Sequence, residues 1–138
     1  MDEAMFRHYI ALFNARDYER LITFYTEDVE LELPASSPRG REGIRRYYSD
    51  LHRFVRERLR IDFLLVGRDR IATELYTEFR CLHDLPTFSF KPLVAGEVFR
   101  CTNFVHYDLV GDRFRRIRVA RYKVHEADPR ARPVAARA

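Results

Sequence analysis

Apolar and polar positions follow two different periods along this chain, and the change comes a little before its middle. Phe6, Tyr9, Ile10 and Phe13 recur at helical spacing, N-A-R-D interrupts them, and Tyr18, Leu21, Ile22 and Tyr25 resume the pattern with Asp17 in an N-cap position. That predicts two helices joined by a short bend. E-D-V-E-L-E-L-P then alternates, with Val29, Leu31 and Leu33 on one side of a strand and Glu30 and Glu32 on the other. P-A-S-S-P-R-G-R reads as a loop, and Ile44, Tyr47, Tyr48, Leu51, Phe54 and Val55 form the stripe of a third helix.

From Leu59 onward the period is two, through L-R-I-D-F-L-L-V, I-A-T-E-L-Y-T-E-F-R-C-L, G-E-V-F-R-C-T-N-F-V-H-Y-D-L-V and F-R-R-I-R-V-A-R-Y-K-V. These are four further strands, with hairpin turns at G-R-D-R and V-G-D-R. The two prolines of H-D-L-P-T-F-S-F-K-P make that segment a longer connection. The predicted order is α-α-β-α-β-β-β-β. Strands joined by hairpins are antiparallel, and three amphipathic helices need one sheet face to cover. The expected class is therefore α+β: a cone-shaped, strongly bent mixed or antiparallel sheet wrapped around three N-terminal helices, open at one end. The interior is the natural place for a small-molecule ligand.

A chain of 138 residues fits one domain, assigned to 1–126, and the Ala-, Arg- and Pro-rich stretch 127–138 reads as a disordered basic tail. Tyr and Phe together number 19 and Trp is absent, which favours an aromatic-lined core. No apolar run is long enough to span a membrane and M-D-E-A-M-F-R-H lacks the order of a secretory leader, so a cytoplasmic location is expected. Cys81 and Cys101 lie in strand-like segments without metal-binding spacing and read as buried thiols. His8, His52, His83 and His125 have no ligand spacing either and read as surface or edge residues.

The stretch Y-I-A-L-F-N-A-R-D-Y-E-R-L-I-T-F-Y-T-E-D-V-E-L-E-L-P followed by G-R-E-G-I-R-R-Y-Y resembles the start of nuclear transport factor 2-like domains. Within that superfamily it is closest in style to SnoaL-like polyketide cyclases and ketosteroid isomerases. The resemblance runs over roughly Phe6 to His125 and implies a cystatin-like α+β roll. In ketosteroid isomerases three tyrosines from the first three helices form a hydrogen-bonded cluster, and Tyr9, Tyr25 and Tyr48 occupy the matching positions. A phenol in a dry pocket can stabilise charge growing on an enolate oxygen, and neighbouring phenols strengthen its donation. Tyrosines at helical spacing can equally be core aromatics with satisfied hydroxyls.

The family's general base aligns with Leu33, so hydrocarbon stands where proton abstraction would need a carboxylate. Its oxyanion-binding acid aligns near Asn103 or Phe104. The Asp-Arg-Asp relay of limonene epoxide hydrolases falls on Leu75, Thr77 and Val119. Those carboxylates are absent, which leaves other inward groups as the candidates. If Leu75 and Phe79 face inward, so do Thr73 and Thr77. If Phe104 faces inward, it brings Arg100, Thr102 and His106, and Ile117 and Val119 bring Arg121.

His106 is then the candidate acid or base, with Arg100 and Arg121 as holders of a substrate anion. Leu33, Phe79, Phe104 and Val119 would line the pocket. No cofactor or metal is expected. The net charge of +4 and the arginines at 115, 116 and 118 raise nucleic-acid binding, which the facing Glu30 and Glu32 disfavour. Tyr76, Phe99, Val105 and Tyr107 would form an outward apolar face, predicting a homodimer through the sheet. The leading expectation is a cofactor-independent isomerase, dehydratase or cyclase acting on an apolar oxygenated ring compound. The alternative is a non-catalytic small-molecule-binding or interaction domain of the same fold.

Overall fold

Helix α1 (Glu3–Asn14) starts where the Asp2 carboxylate accepts the Met5 amide at 2.8 Å. The computed structural model describes residues 1–125, and the tail expected at 127–138 lies outside the described residues. After α1 the chain turns through Arg16 at φ 57°, and Asp17 caps α2 (Tyr18–Leu21). The second helix is shorter than its periodicity predicted. It passes into a 3-10 turn at Ile22–Phe24, and Tyr25 is the first residue of strand β1 (Tyr25–Glu32). Helix α3 (Gly40–Leu51) also ends early, because Val55 already belongs to β2 (Val55–Val66). Val55 fits both periods, and the inward alternation of Val55, Glu57 and Leu59 decides for the strand.

The hairpins join β2 to β3 (Arg70–Cys81) and β4 (Val98–Val110) to β5 (Arg113–His125). The sheet order is β1-β5-β4-β3-β2. Strand β1 runs parallel to β5 and the other pairs are antiparallel, so the sheet is mixed. Register shifts leave Asp62 on β2 and Arg115 and Tyr122 on β5 as extra residues opposite their partner strands, irregularities of the kind that bend a strand. Glu32 on β1 accepts from Arg116 on β5 at 2.6 and 2.9 Å, so the expected pairing of the acidic first strand with the basic last strand is present.

Strand β4 corrects the expected register. Phe99, Cys101, Val105, Tyr107 and Leu109 turn inward and are buried, whereas Phe104 and His106 are exposed on the outer face and Arg100 is there too. Odd positions carry most of this strand's hydrocarbon, and a one-residue slip would expose all of it. Phe99, Val105 and Tyr107 are therefore core residues, not an outward apolar face. The β3 register is as expected, with Thr73, Leu75, Thr77 and Phe79 buried.

Strand β2 is a sheet edge, and its outer backbone groups need partners. Asn14, the last residue of α1, supplies them at Leu59. Its Nδ2 donates to the Leu59 carbonyl at 2.9 Å, and its Oδ1 accepts the Leu59 amide at 2.8 Å. One side chain thus ties α1 to the edge strand as a neighbouring strand would. Asn14→Ala should cost roughly 2–4 kcal/mol, since it leaves two buried backbone groups unpaired. Urea unfolding checks this, and a loss below about 1 kcal/mol would show that water replaces the amide.

Candidate functional site

Between the helices and the inner sheet face lies a cavity of about 460 Å³. Tyr9 and Phe13 of α1 and Tyr47 and Tyr48 of α3 form one wall; Leu59, Leu75, Thr77, Asn103, Val105, Tyr107, Ile117 and Val119 form the other. The mouth is bordered by Leu33–Ser36 after β1 and by Phe88 and Phe90 of the β3–β4 connection. Phe88 packs at 5.1 Å from Phe79, and Phe90 stacks at 5.0 Å from Phe99, so one side of the mouth is an aromatic cluster continuous with the core.

At the inner end, the Tyr9 and Tyr25 hydroxyls are 2.9 Å apart. Their rings meet edge-on at 6.0 Å, and Tyr9 packs on Phe114 at 4.8 Å. Tyr25 is fully buried behind the cavity, whereas Tyr9 and Tyr48 line it. Burial lifts the phenol pKa of Tyr9, Tyr25, Tyr48 and Tyr107 well above the ordinary value; for Tyr48 the next cause is the nearby charge of Glu57. These groups keep their protons and act as donors. The three expected tyrosines do not form a single chain: Tyr9 bonds Tyr25, while Tyr48 stands apart with its ring on Phe13 and His52.

The acid of this site was not among the sequence candidates. Glu57, at the start of β2, is 8% exposed and lines the cavity. Its Oε2 lies 2.9 Å from Nε2 of His52, and Nδ1 of His52 lies 2.6 Å from the Tyr18 hydroxyl. His52 follows α3 directly and is 4% exposed, which corrects its assignment to the surface. Its ring lies near-parallel to Tyr48 at 5.6 Å and meets Phe13 edge-on at 5.6 Å, with the Tyr18 ring at 5.9 Å on its hydrogen-bonded edge. An imidazole bonded at both nitrogens and packed on three sides cannot turn, so it fixes the carboxylate in the cavity wall. Such a group can take or give a proton at carbon beside phenol donors.

The remaining expected site residues divide. Leu33, Phe79 and Val119 line the cavity, as does Asn103 in place of Phe104. Phe104 stacks on Tyr122 at 4.5 Å on the outer face. Arg100 donates to the buried Glu78 at 3.1 Å on that same face. His106 is exposed there and is no part of the site. Arg121 keeps the inner parity of β5 but lies beyond the lining, its guanidinium 3.2 Å from the Phe90 ring centroid. His125 bonds the Thr102 hydroxyl at 2.7 Å, and Cys81 and Cys101 are buried free thiols. A signal for Glu57 existed in the sequence: in V-R-E-R-L the acid shares strand parity with Val55 and Leu59. The helical stripe that runs through Phe54 and Val55 masks it.

Residues 6–117 match the model of the SnoaL-like domain. No curated protein matches the chain. Among solved structures, a SnoaL-like polyketide cyclase from Agrobacterium tumefaciens is 22% identical with a TM-score of 0.70, over 84% of this chain and 87% of that one. TsrD from Streptomyces laurentii is 20% identical with a TM-score of 0.71, over 88% and 90%. TerC, co-crystallised with polyporic acid, is 15% identical with a TM-score of 0.66, over 83% and 85%. At these identities the likeness is one of fold.

The raised phenol pKa values give a stability prediction with a definite sign. Above the ordinary tyrosine pKa of about 10 the unfolded chain loses phenol protons that the fold retains, so stability falls as pH rises. The contribution is fully present below that pH. Ultraviolet titration should show Tyr9, Tyr25, Tyr48 and Tyr107 ionising only with unfolding; reversible ionisation of all 8 tyrosines in the folded protein near the ordinary value would contradict it.

Proposed function

The chain belongs to the SnoaL-like domain family, and from that premise we propose that it is a cofactor-independent enzyme that isomerises, dehydrates or cyclises an apolar, oxygen-bearing ring compound. The observation that carries this reading is the Glu57 carboxylate, fixed by His52 in the wall of an aromatic cavity that also presents Tyr9 and Tyr48. Glu57 takes a proton from carbon next to a carbonyl; the C–H electron pair becomes the enolate π bond and charge moves to oxygen. Tyr48 donates to that oxygen, and the Tyr9–Tyr25 pair supports the same end of the cavity. The Glu57 carboxylic acid then returns the proton to another carbon, or to a leaving hydroxyl as water departs. No electron leaves the substrate, so the chemistry requires no redox partner.

Leu33 favours a second reading. Where the family's usual base would stand the wall is hydrocarbon, which also suits a carrier that binds a ring compound without turnover. The exposed Phe104 and Tyr122, 38% and 62% accessible and stacked on adjacent strands, support a homodimer through the outer sheet face. Two buried free thiols suit a reducing cytoplasm, and among the described residues no helix is long and apolar enough to cross a membrane. The Glu32–Arg116 and Asp108–Arg118 pairs offset the basic stripe and weigh against nucleic acid.

Conversion of cyclic β,γ-enones to conjugated enones, followed by ultraviolet absorbance, tests the enzyme reading. Glu57→Gln should lower turnover by about 10²–10⁴ and Tyr48→Phe by about 10²–10³, while His106→Gln leaves it unchanged. Wild-type rates in Glu57→Gln would remove the proposed base, and tight binding without turnover would favour the carrier. Sedimentation should show a dimer that Phe104→Glu converts to monomer; a monomeric wild type at micromolar concentration would refute the sheet-face interface.

A further inference from the structure

The chain carries a net charge of +4, yet the charged side chains of its cavity are of the opposite sign. Glu57 stands in the wall and Asp50 near the mouth, and among the described lining residues there is no Lys or Arg. Neither arginine expected to hold an anion is in the lining: Arg100 pairs with Glu78 on the far side of the sheet, and Arg121 lies behind the mouth residue Phe90, its guanidinium over that ring. Of the Glu57 oxygens, His52 engages Oε2 at 2.9 Å, and Oε1 has no donor among the described residues. A carboxylate in an apolar wall with one oxygen unengaged favours a ligand that brings a hydrogen.

The same carboxylate repels a second one. In a low-dielectric cavity two like charges a few ångströms apart interact far more strongly than in water, and no Lys or Arg among the described lining residues stands beside them. Discrimination therefore comes from a repulsive element as well as an attractive one. We infer that the cavity selects neutral ring compounds bearing a hydroxyl or enol that donates to Glu57, and rejects ring carboxylates of the same size. The inference rests on the site proposed above and names its ligand class; it concerns binding and holds whether or not turnover follows.

Isothermal titration of the unmodified protein at neutral pH with β-naphthol, its methyl ether and β-naphthoate tests this. The three share one ring and differ in donor and charge. β-Naphthol should bind roughly tenfold or more tightly than either of the others, the scale of one hydrogen bond to a charged group. In Glu57→Gln, with folding confirmed by circular dichroism, affinity for the naphthoate should rise, that for the naphthol should fall, and the preference should shrink towards unity. Binding of β-naphthoate by the wild type within about threefold of β-naphthol overturns the inference. So does failure of β-naphthol to bind, or an unchanged preference in Glu57→Gln. Selective binding without enone turnover would leave the inference standing while the enzymatic reading falls.

Discussion

A strand offers two faces, and in this protein the face turned toward the helices decides the chemistry. The inner face of the bent sheet must be apolar enough to pack against α1 and α3, so each strand settles with its more hydrocarbon-rich parity inward. On β4 that choice buries Phe99, Val105 and Tyr107 and sends Phe104 and His106 outward. On β2 it turns Glu57 inward between Val55 and Leu59, because exposing the acid would expose both neighbours. The carboxylate is thus carried into the interior by the burial of the residues around it.

A buried carboxylate is tolerated only when its environment is arranged for it. His52 supplies that arrangement, bonded on one side to Glu57 and on the other to Tyr18, with aromatic rings holding its plane. The buried Glu78 on the opposite face is handled differently, paired at 3.1 Å with Arg100. Both acids are buried, but of the two Glu57 lines the cavity. Glu78 ties β3 to β4, while Glu57 is available to a ligand and raises the cost of ionising Tyr48 beside it.

The cavity lies between two aromatic groups that hold it open. Phe6, Tyr9, Tyr25, Tyr107 and Phe114 pack the inner end, largely edge-on, and Phe79, Phe88 and Phe90, backed by Phe99, border one side of the mouth. Rigid rings at both ends leave a volume between them that neither group can collapse into. The aromatics of the β3–β4 connection therefore shape the site, although that connection forms no regular strand.

Local rules were enough to read the order of elements, both hairpins and the inward side of β1 and β3, with Leu33 and Phe79 at the interior, while the family resemblance implied the pairing of β1 with β5 and set Tyr9, Tyr48 and Val119 in a common pocket. Period, capping and turn chemistry act over a few residues, so they are legible in sequence. The junction of α3 with β2 and the parity of β4 were not, because Phe54 and Val55 fit either period and β4 carries apolar residues on both faces. Competition between the two faces is settled only when whole strands pack against helices, a sum over distant contacts that no short window contains. The same packing brings His52, Glu57 and Tyr18 within hydrogen-bonding distance across the end of α3, and so the acid of the site is a product of tertiary structure.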